Sequence, residues 1–138
     1  TATYEGQAAI ELEALADPDE TGAYSFELTD DQLVVRPMLE EIIQDWRSAI
    51  PIPRISAKFH NTLALASLEI CRKLREKRGI STIALSGGVW QNRTLFARTV
   101  YNLETHQFKV LRHHQVPVND GCIALGQAMV AAHIIDRR

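Results

Sequence analysis

Ser81-Thr82-Ile83-Ala84-Leu85-Ser86-Gly87-Gly88-Val89-Trp90-Gln91-Asn92 places a turn of small residues directly between an apolar strand and a helix. Residues 81–85 read as a short buried strand, and residues 92–104 carry Leu95, Phe96, Thr99, Val100 and Leu103 at helical spacing. Two glycines at the joint permit positive φ and close backbone approach to a ligand. The N-terminus of the following helix would offer free N–H groups to an anion. The same Gly-Gly pair serves equally well simply to turn the chain. The residues further on add weight to the ligand reading, because 107–111 form a second strand and Val116-Pro117-Val118-Asn119-Asp120-Gly121-Cys122 leads into a last helix over 123–135. Two successive strand-loop-helix units bring both loops to one sheet edge. Open parallel sheets bind ligands outside the carboxyl ends of their strands, so Ser86-Gly87-Gly88 and Asp120 are expected to share a cleft in an α/β fold.

Upstream, residues 5–16 carry Ala8, Ala9, Leu12, Leu15 and Ala16 on one face, an amphipathic helix whose glutamates are expected to face solvent and which stops before Asp17-Pro18. Residues 24–28 and 32–36 predict a hairpin across Thr29-Asp30-Asp31. Pro37 then opens a helix, at a position proline tolerates, that runs to about residue 49. Ile50-Pro51-Ile52-Pro53 breaks it, and residues 56–78 form a long helix with Phe59, Leu63, Ala66, Ile70 and Leu74 as its expected buried stripe. The basic run Arg72 to Arg78 suits the C-terminal end of the helix dipole, and Gly79 stops the helix.

A chain of 138 residues with 46% hydrophobic content suits one domain, 1–138, with a core of its own. It has no apolar run of membrane-spanning length and no signal-peptide pattern, so a cytoplasmic location is expected, with no membrane partner. Thr1 in place of an initiator Met points to a piece excised from a longer chain. The net charge of −2 hides a polarity: residues 1–50 set 12 acids against Arg36 and Arg47, giving −10, and residues 51–138 set 13 bases against 5 acids, giving +8. The two parts should attract each other, and the basic part favours anionic ligands. No aromatic residues interleave with the bases, which argues against nucleic acid.

Cys71 and Cys122 have no metal-ligand spacing, and Cys71 reads as a small buried hydrophobe. His60, beside the stripe of the long helix, is either a packed histidine or a ligand or base. His113-His114 precedes Asp120 by six positions, and imidazole with carboxylate is a common ligand set. Neighbouring strand residues point to opposite faces, which makes joint coordination by both histidines difficult.

Four blocks span nearly the whole chain: Tyr4-Glu5-Gly6-Gln7-Ala8-Ala9 with Glu11-Leu12-Glu13; Phe59-His60-Asn61-Thr62-Leu63-Ala64; Leu85 to Asn92; and Val116-Pro117 with Asn119-Asp120-Gly121-Cys122-Ile123-Ala124-Leu125-Gly126-Gln127. In these blocks, in this order, the chain resembles the C-terminal part of the hydrogenase-maturation carbamoyltransferases, the HypF family. It is more distantly similar to the tRNA threonylcarbamoyl-transferase (TsaD-like) proteins. Cys122 departs from the family's usual glycine, and drift or a reactive thiol would each account for it.

The resemblance implies one lobe, the C-terminal one, of an actin-like, ribonuclease H-like ATPase-type fold with an added hairpin and several helices. It implies ATP and carbamoyl phosphate as ligands, and a divalent metal ion (iron, zinc or magnesium) held by two histidines of the preceding lobe and by an aspartate, here Asp120. The family's histidines lie elsewhere than His113-His114. Ser86, Gly87, Gly88 and Asn92 would border the nucleotide, and Gly6 would approach its ribose or base. Trp46 and Trp90 would be core or lobe-contact residues, with Trp90 alternatively lining the nucleotide pocket. The implied partners are the remaining lobe of the same chain and an acceptor maturation protein with a C-terminal cysteine (HypE-like). The implied reaction is ATP-dependent carbamoyl transfer through carbamoyl-adenylate to that cysteine, in synthesis of the cyanide ligand of [NiFe]-hydrogenase. The phosphate-loop pattern ending in Lys-Ser or Lys-Thr is absent, which sets aside an ordinary P-loop ATPase. The alternatives are a non-catalytic docking lobe, whose Gly-Gly turn is structural, and an O-carbamoyltransferase acting on a small-molecule hydroxyl.

Overall fold

The computed structural model describes residues 2–29 and 32–136. The long helix α3 (Ile52–Arg78) is its axis, about 40 Å long at the helical rise per residue. Proline is tolerated in a first helical turn, so α3 takes in Ile52 and Pro53 and starts earlier than the proline pair suggests. Gly79 ends it at φ 69°.

Helices α1 (Gln7–Ala14), α2 (Arg36–Arg47) and α4 (Arg93–Thr105) all pack on α3, the closest association being with α4. This explains a difference from the expected stripe. Ile70 and Leu74 stay exposed, whereas Ile55, Ser56, Ala57, His60, Thr62, Ala64, Ala66, Leu68 and Cys71 are buried. A helix touched on several sides buries small and polar residues around its circumference, which a single-face pattern does not capture.

The parallel strands β3 (Thr82–Ala84) and β4 (Lys109–Leu111) pair Thr82 with Lys109, Ile83 with Val110 and Ala84 with Leu111. Between them runs α4, which makes the right-sized crossover for a parallel pair. Ile83 and Val110 turn inward onto a core of Leu68, Cys71, Leu85, Val100, Leu103 and Phe108, with Trp90 and Phe96 packed edge-on beside it. Arg75 stacks over Phe108 and donates to the His106 carbonyl. The outer face of the pair, with Thr82, Ala84 and Leu111, is exposed.

The hairpin is shorter than expected, with β1 (Glu27–Leu28) antiparallel to β2 (Leu33–Val34). Asp30 and Asp31 of its turn lie outside the described residues. A second core of Tyr24, Met38 and Ile55 sits between hairpin, α2 and α3. Among the described residues, the expected attraction between the acidic and basic parts includes the ion pairs Arg54–Glu20 and Lys58–Asp45, each at 2.7 Å. Tyr24 donates its hydroxyl to the same Asp45 carboxylate and lies under the Lys58 ammonium. Trp46 is 66% exposed on the outer side of α2, so it is not a core residue.

The last helix, α5 (Ile123–Asp136), carries apolar residues on every side and buries none of them. No helix among the described residues is long and apolar enough to cross a membrane.

Candidate functional site

The two loops at the carboxyl ends of β3 and β4 meet. The Leu85 amide continues the ladder to the Leu111 carbonyl at 2.9 Å, and the Gly87 amide then donates to the Val118 carbonyl at 2.8 Å. Gly87 has φ 107° and ψ 157°, a conformation essentially confined to glycine. A Cβ on Gly88 would stand 4.0 Å from the Asn119 Cβ, an ordinary contact distance. Asn119 folds back on itself, its Oδ1 accepting from the Gly121 amide, and so turns the chain at Asp120.

Gly6 closes the site from the opposite side. At φ 80° it swings the chain into α1, laying Glu5, Gly6, Ala9, Ile10 and Glu13 across from Gly88, Val89, Gln91, Asn92, Asn119 and Asp120. The cleft between them measures about 820 Å³. Four of the six candidate residues, Gly6, Gly88, Asn92 and Asp120, therefore line one cleft. Ser86 and Gly87 do not line it; the Ser86 hydroxyl instead pairs with His113 Nε2 at 3.0 Å.

Two expectations need correcting here. The glutamates of the first helical segment do not all face solvent: Glu13 is half-buried in the cleft wall, where its Oε1 accepts from the Thr94 amide at 3.1 Å, while Glu5, just before α1, lines the cleft and stays exposed. The N-terminus of α4 is likewise less open to an anion than expected. Its Thr94 amide is taken by Glu13 and its Leu95 amide by the Asn92 side chain at 2.8 Å, and a 3-10 turn, Gly88–Gln91, separates the glycines from the helix.

His60 is a packed histidine, 1% exposed. Its Nδ1 meets the Ser56 carbonyl at 2.7 Å and its Nε2 meets the Asn92 Nδ2 at 2.9 Å. Arg98, which the sequence pattern does not single out, lies outside the cleft lining and ties α4 to α3 and to the segment after α1 by donating to the carbonyls of Ala57 and Asp17 and to the Asn61 side chain. Burial pulls its guanidinium below the usual arginine range.

The charge of the cleft also differs from expectation. Its lining includes the carboxyl residues Glu5, Glu13 and Asp120 and, among the described residues, neither lysine nor arginine. A phosphate-bearing ligand would have to enter with a cation. Asp120 is exposed and chemically suited to give one oxygen ligand to a divalent ion. No group of three or more His, Cys, Asp or Glu side chains able to hold a metal occurs among the described residues, so His113-His114 and Asp120 do not make a metal centre by themselves. Trp90 packs on the core and is absent from the cleft lining.

A family model described as carbamoyltransferase, Kae1-like domain, second subdomain, matches residues 1–127. The chain belongs to this family. The carbamoyltransferase HypF of Synechocystis sp. is 38% identical over 133 residues, covering 92% of this chain and 16% of that protein, so the chain spans about a sixth of that relative's length. HypF of Rhizobium leguminosarum is 33% identical over 133 residues, covering 96% of this chain and 17% of that protein. The crystal structure of full-length HypF in its phosphate- and nucleotide-bound form superposes with a TM-score of 0.89 at 38% identity, over 97% of this chain and 18% of that one. T. kodakarensis HypF shares the fold, with a TM-score of 0.81 at 22% identity over 96% of this chain and 17% of that one. The α/β reading, a lobe of the Kae1-like carbamoyltransferase type, stands.

Proposed function

We propose that the cleft holds the nucleotide in an ATP-dependent carbamoyl transfer that serves hydrogenase maturation. The observation that carries this reading is the convergence of Gly6, Gly88, Asn92 and Asp120 on one cleft of about 820 Å³, a volume suited to a nucleotide-sized ligand. The similar full-length HypF with phosphate and nucleotide bound supports it by analogy.

In this reading the backbone at Gly88 and Val89 approaches the nucleotide closely because no side chain intervenes at Gly88. Gly6 leaves room on the opposite wall, and Asn92 donates a hydrogen bond to the ligand. Ser86 and Gly87 hold the loop from behind. Asp120 supplies one ligand to a divalent cation whose other donors come from the remaining lobe of the protein. Such an ion neutralises charge on the phosphates, which the acidic lining otherwise repels.

The chemistry is a matter of positioning. Water hydrolyses carbamoyl phosphate, giving carbamate and inorganic phosphate. A carbamate oxygen attacks the α-phosphorus of ATP, expelling pyrophosphate and forming carbamoyl-adenylate. The thiolate of an acceptor protein then attacks the carbamoyl carbon, and AMP leaves. Carbamate is a weak nucleophile, so confinement beside the α-phosphate raises its effective concentration. The acceptor is a C-terminal cysteine of a maturation partner, and a free thiolate acceptor fits a cytoplasmic location. The exposed faces of α5 and of the β3–β4 pair are where the remaining lobe packs, because a parallel sheet is ordinarily covered on both faces.

Gly88→Leu in the full-length protein tests the site. Gly88 lies outside the positive-φ glycines and its Cβ direction is open, so the variant should fold while its side chain obstructs the cleft. ATP binding by calorimetry is expected to be lost with the circular dichroism unchanged. Undiminished affinity would remove the nucleotide from this cleft.

A further inference from the structure

His60 is a buried ionisable side chain that the proposed chemistry does not use, and its two ring nitrogens tie α3 to the start of α4. The Ser56 carbonyl can only accept, so Nδ1 carries the proton. The Asn92 orientation is fixed independently, because its Oδ1 accepts from the Leu95 amide and its other terminal atom is therefore the NH2 group. That NH2 donates to His60 Nε2 at 2.9 Å, so His60 is the neutral tautomer with Nε2 as acceptor. Ser56 is anchored in turn, its hydroxyl donating to the Leu12 carbonyl at the end of α1. A continuous set of hydrogen bonds thus runs from α1 through α3 to the first turn of α4.

The choice of asparagine at position 92 becomes intelligible on this basis. Capping α4 needs only a side-chain acceptor, which serine, threonine or aspartate provides as well. The NH2 group has two hydrogens, one committed to His60. The second is uncommitted among the described residues, on a side chain that lines the cleft. An aspartate would set an oxygen against the His60 acceptor and add negative charge to an acidic cleft. Burying an imidazole at 1% exposure is costly unless both nitrogens are paired, which the Ser56 and Asn92 bonds provide.

We propose that His60 is a positioning residue of the cleft: its Nε2 locks the Asn92 carboxamide so that one N–H is aimed at an acceptor atom of the bound nucleotide. This rests on the nucleotide reading given above. His60 does not touch the ligand and acts only through Asn92.

The test uses the shape of amide side chains, measured as magnesium-ATP affinity by calorimetry in the full-length protein. In His60→Asn the shorter amide keeps the Ser56 bond and abandons Asn92. In His60→Gln the longer amide reaches the Nε2 position and keeps the Asn92 bond. His60→Asn is expected to weaken ATP binding about 3- to 10-fold, the range for one lost neutral hydrogen bond. His60→Gln should recover to within about twofold. Asn92→Ser, which keeps the helix cap but removes the NH2 group, should weaken binding at least as much, and His60→Asn added to it should cost nothing further. A merely structural His60 would lower the unfolding midpoint in both His60 variants and leave their affinities alike, which overturns the proposal. An unaltered affinity in Asn92→Ser overturns it as well, even if His60→Asn does not fold. Absence of ATP binding by the unchanged protein would overturn the nucleotide reading and this proposal together. Binding without coupling overturns this one alone.

Discussion

Thr99 is fully buried on α4, and its hydroxyl has no hydrogen-bond partner among the described residues. Thr99→Val replaces that hydroxyl with a methyl group of nearly the same shape and leaves every other contact in place. An unsatisfied buried hydroxyl costs about 1–3 kcal/mol by comparison with mutational data. Threonine and valine have similar helix propensities, so little of that gain is lost to the backbone. A stabilisation of about 1–2 kcal/mol follows. With a urea dependence of roughly 2 kcal/mol/M, the unfolding midpoint should rise by about 0.5–1 M at unchanged slope. Trp90 packs edge-on against Phe96 at 6.3 Å, next to the core that Val100 and Leu103 of α4 help build, so its fluorescence reports this transition. Replacing the exposed Trp46 by Phe in both proteins leaves Trp90 as the remaining tryptophan. Thr99→Ser, which keeps the hydroxyl and removes the methyl, should move the midpoint the other way. A lower midpoint for Thr99→Val would mean that the hydroxyl has a partner and would refute the reasoning.

Gly87→Ala should destabilise by about 1–3 kcal/mol, because at φ 107° the cost is in the backbone even though a Cβ there meets nothing within 4 Å. Gly88→Ala should cost under about 1 kcal/mol, and thermal melts of the two variants side by side would show the difference. The Lys58 ammonium, with the Tyr24 hydroxyl, holds the Asp45 carboxyl below the usual carboxylate range. Its contribution to stability is fully present above the unfolded value near 3.8 and is lost as pH falls from there through the lower folded value. Asp45→Asn should therefore be less stable at neutral pH, and urea midpoints followed downward should converge with those of the unchanged protein below about pH 4.

The parallel pair and the meeting of its two loops were legible in the sequence, because the apolar strand, the Gly-Gly turn and the helical spacing after Asn92 are local signals. So was the α3 terminus, where Gly79 follows a basic last turn. The burial pattern of α3 was not legible: a single stripe describes a helix with one neighbour, and α3 packs against α1, α2 and α4 as well as the core beneath the β3–β4 pair. The role of Glu13 was hidden because a glutamate on an exposed helix reads as solvated, and only the tertiary approach of α1 to α4 shows it capping Thr94. The same approach takes one of the amides, that of Thr94, that the local pattern offers to an anion. Of the two readings of Trp46, core or lobe contact, the core one fails, because Met38 and Ile42 take the inner side of α2 and leave Trp46 on the outer one.

The most direct test of the central claim is to follow carbamoyl-adenylate by mass spectrometry in the full-length protein given ATP and carbamoyl phosphate, comparing the unchanged protein with Asp120→Ala. Asp120 is exposed and its carboxylate has no hydrogen-bond partner among the described residues, the one bond it makes being from its backbone carbonyl to the Ile123 amide, so the variant should stay folded. The account predicts carbamoyl-adenylate from the unchanged protein and its loss in Asp120→Ala. Equal product from both would take Asp120 out of the site, and no product from either would contradict the transferase reading of this cleft.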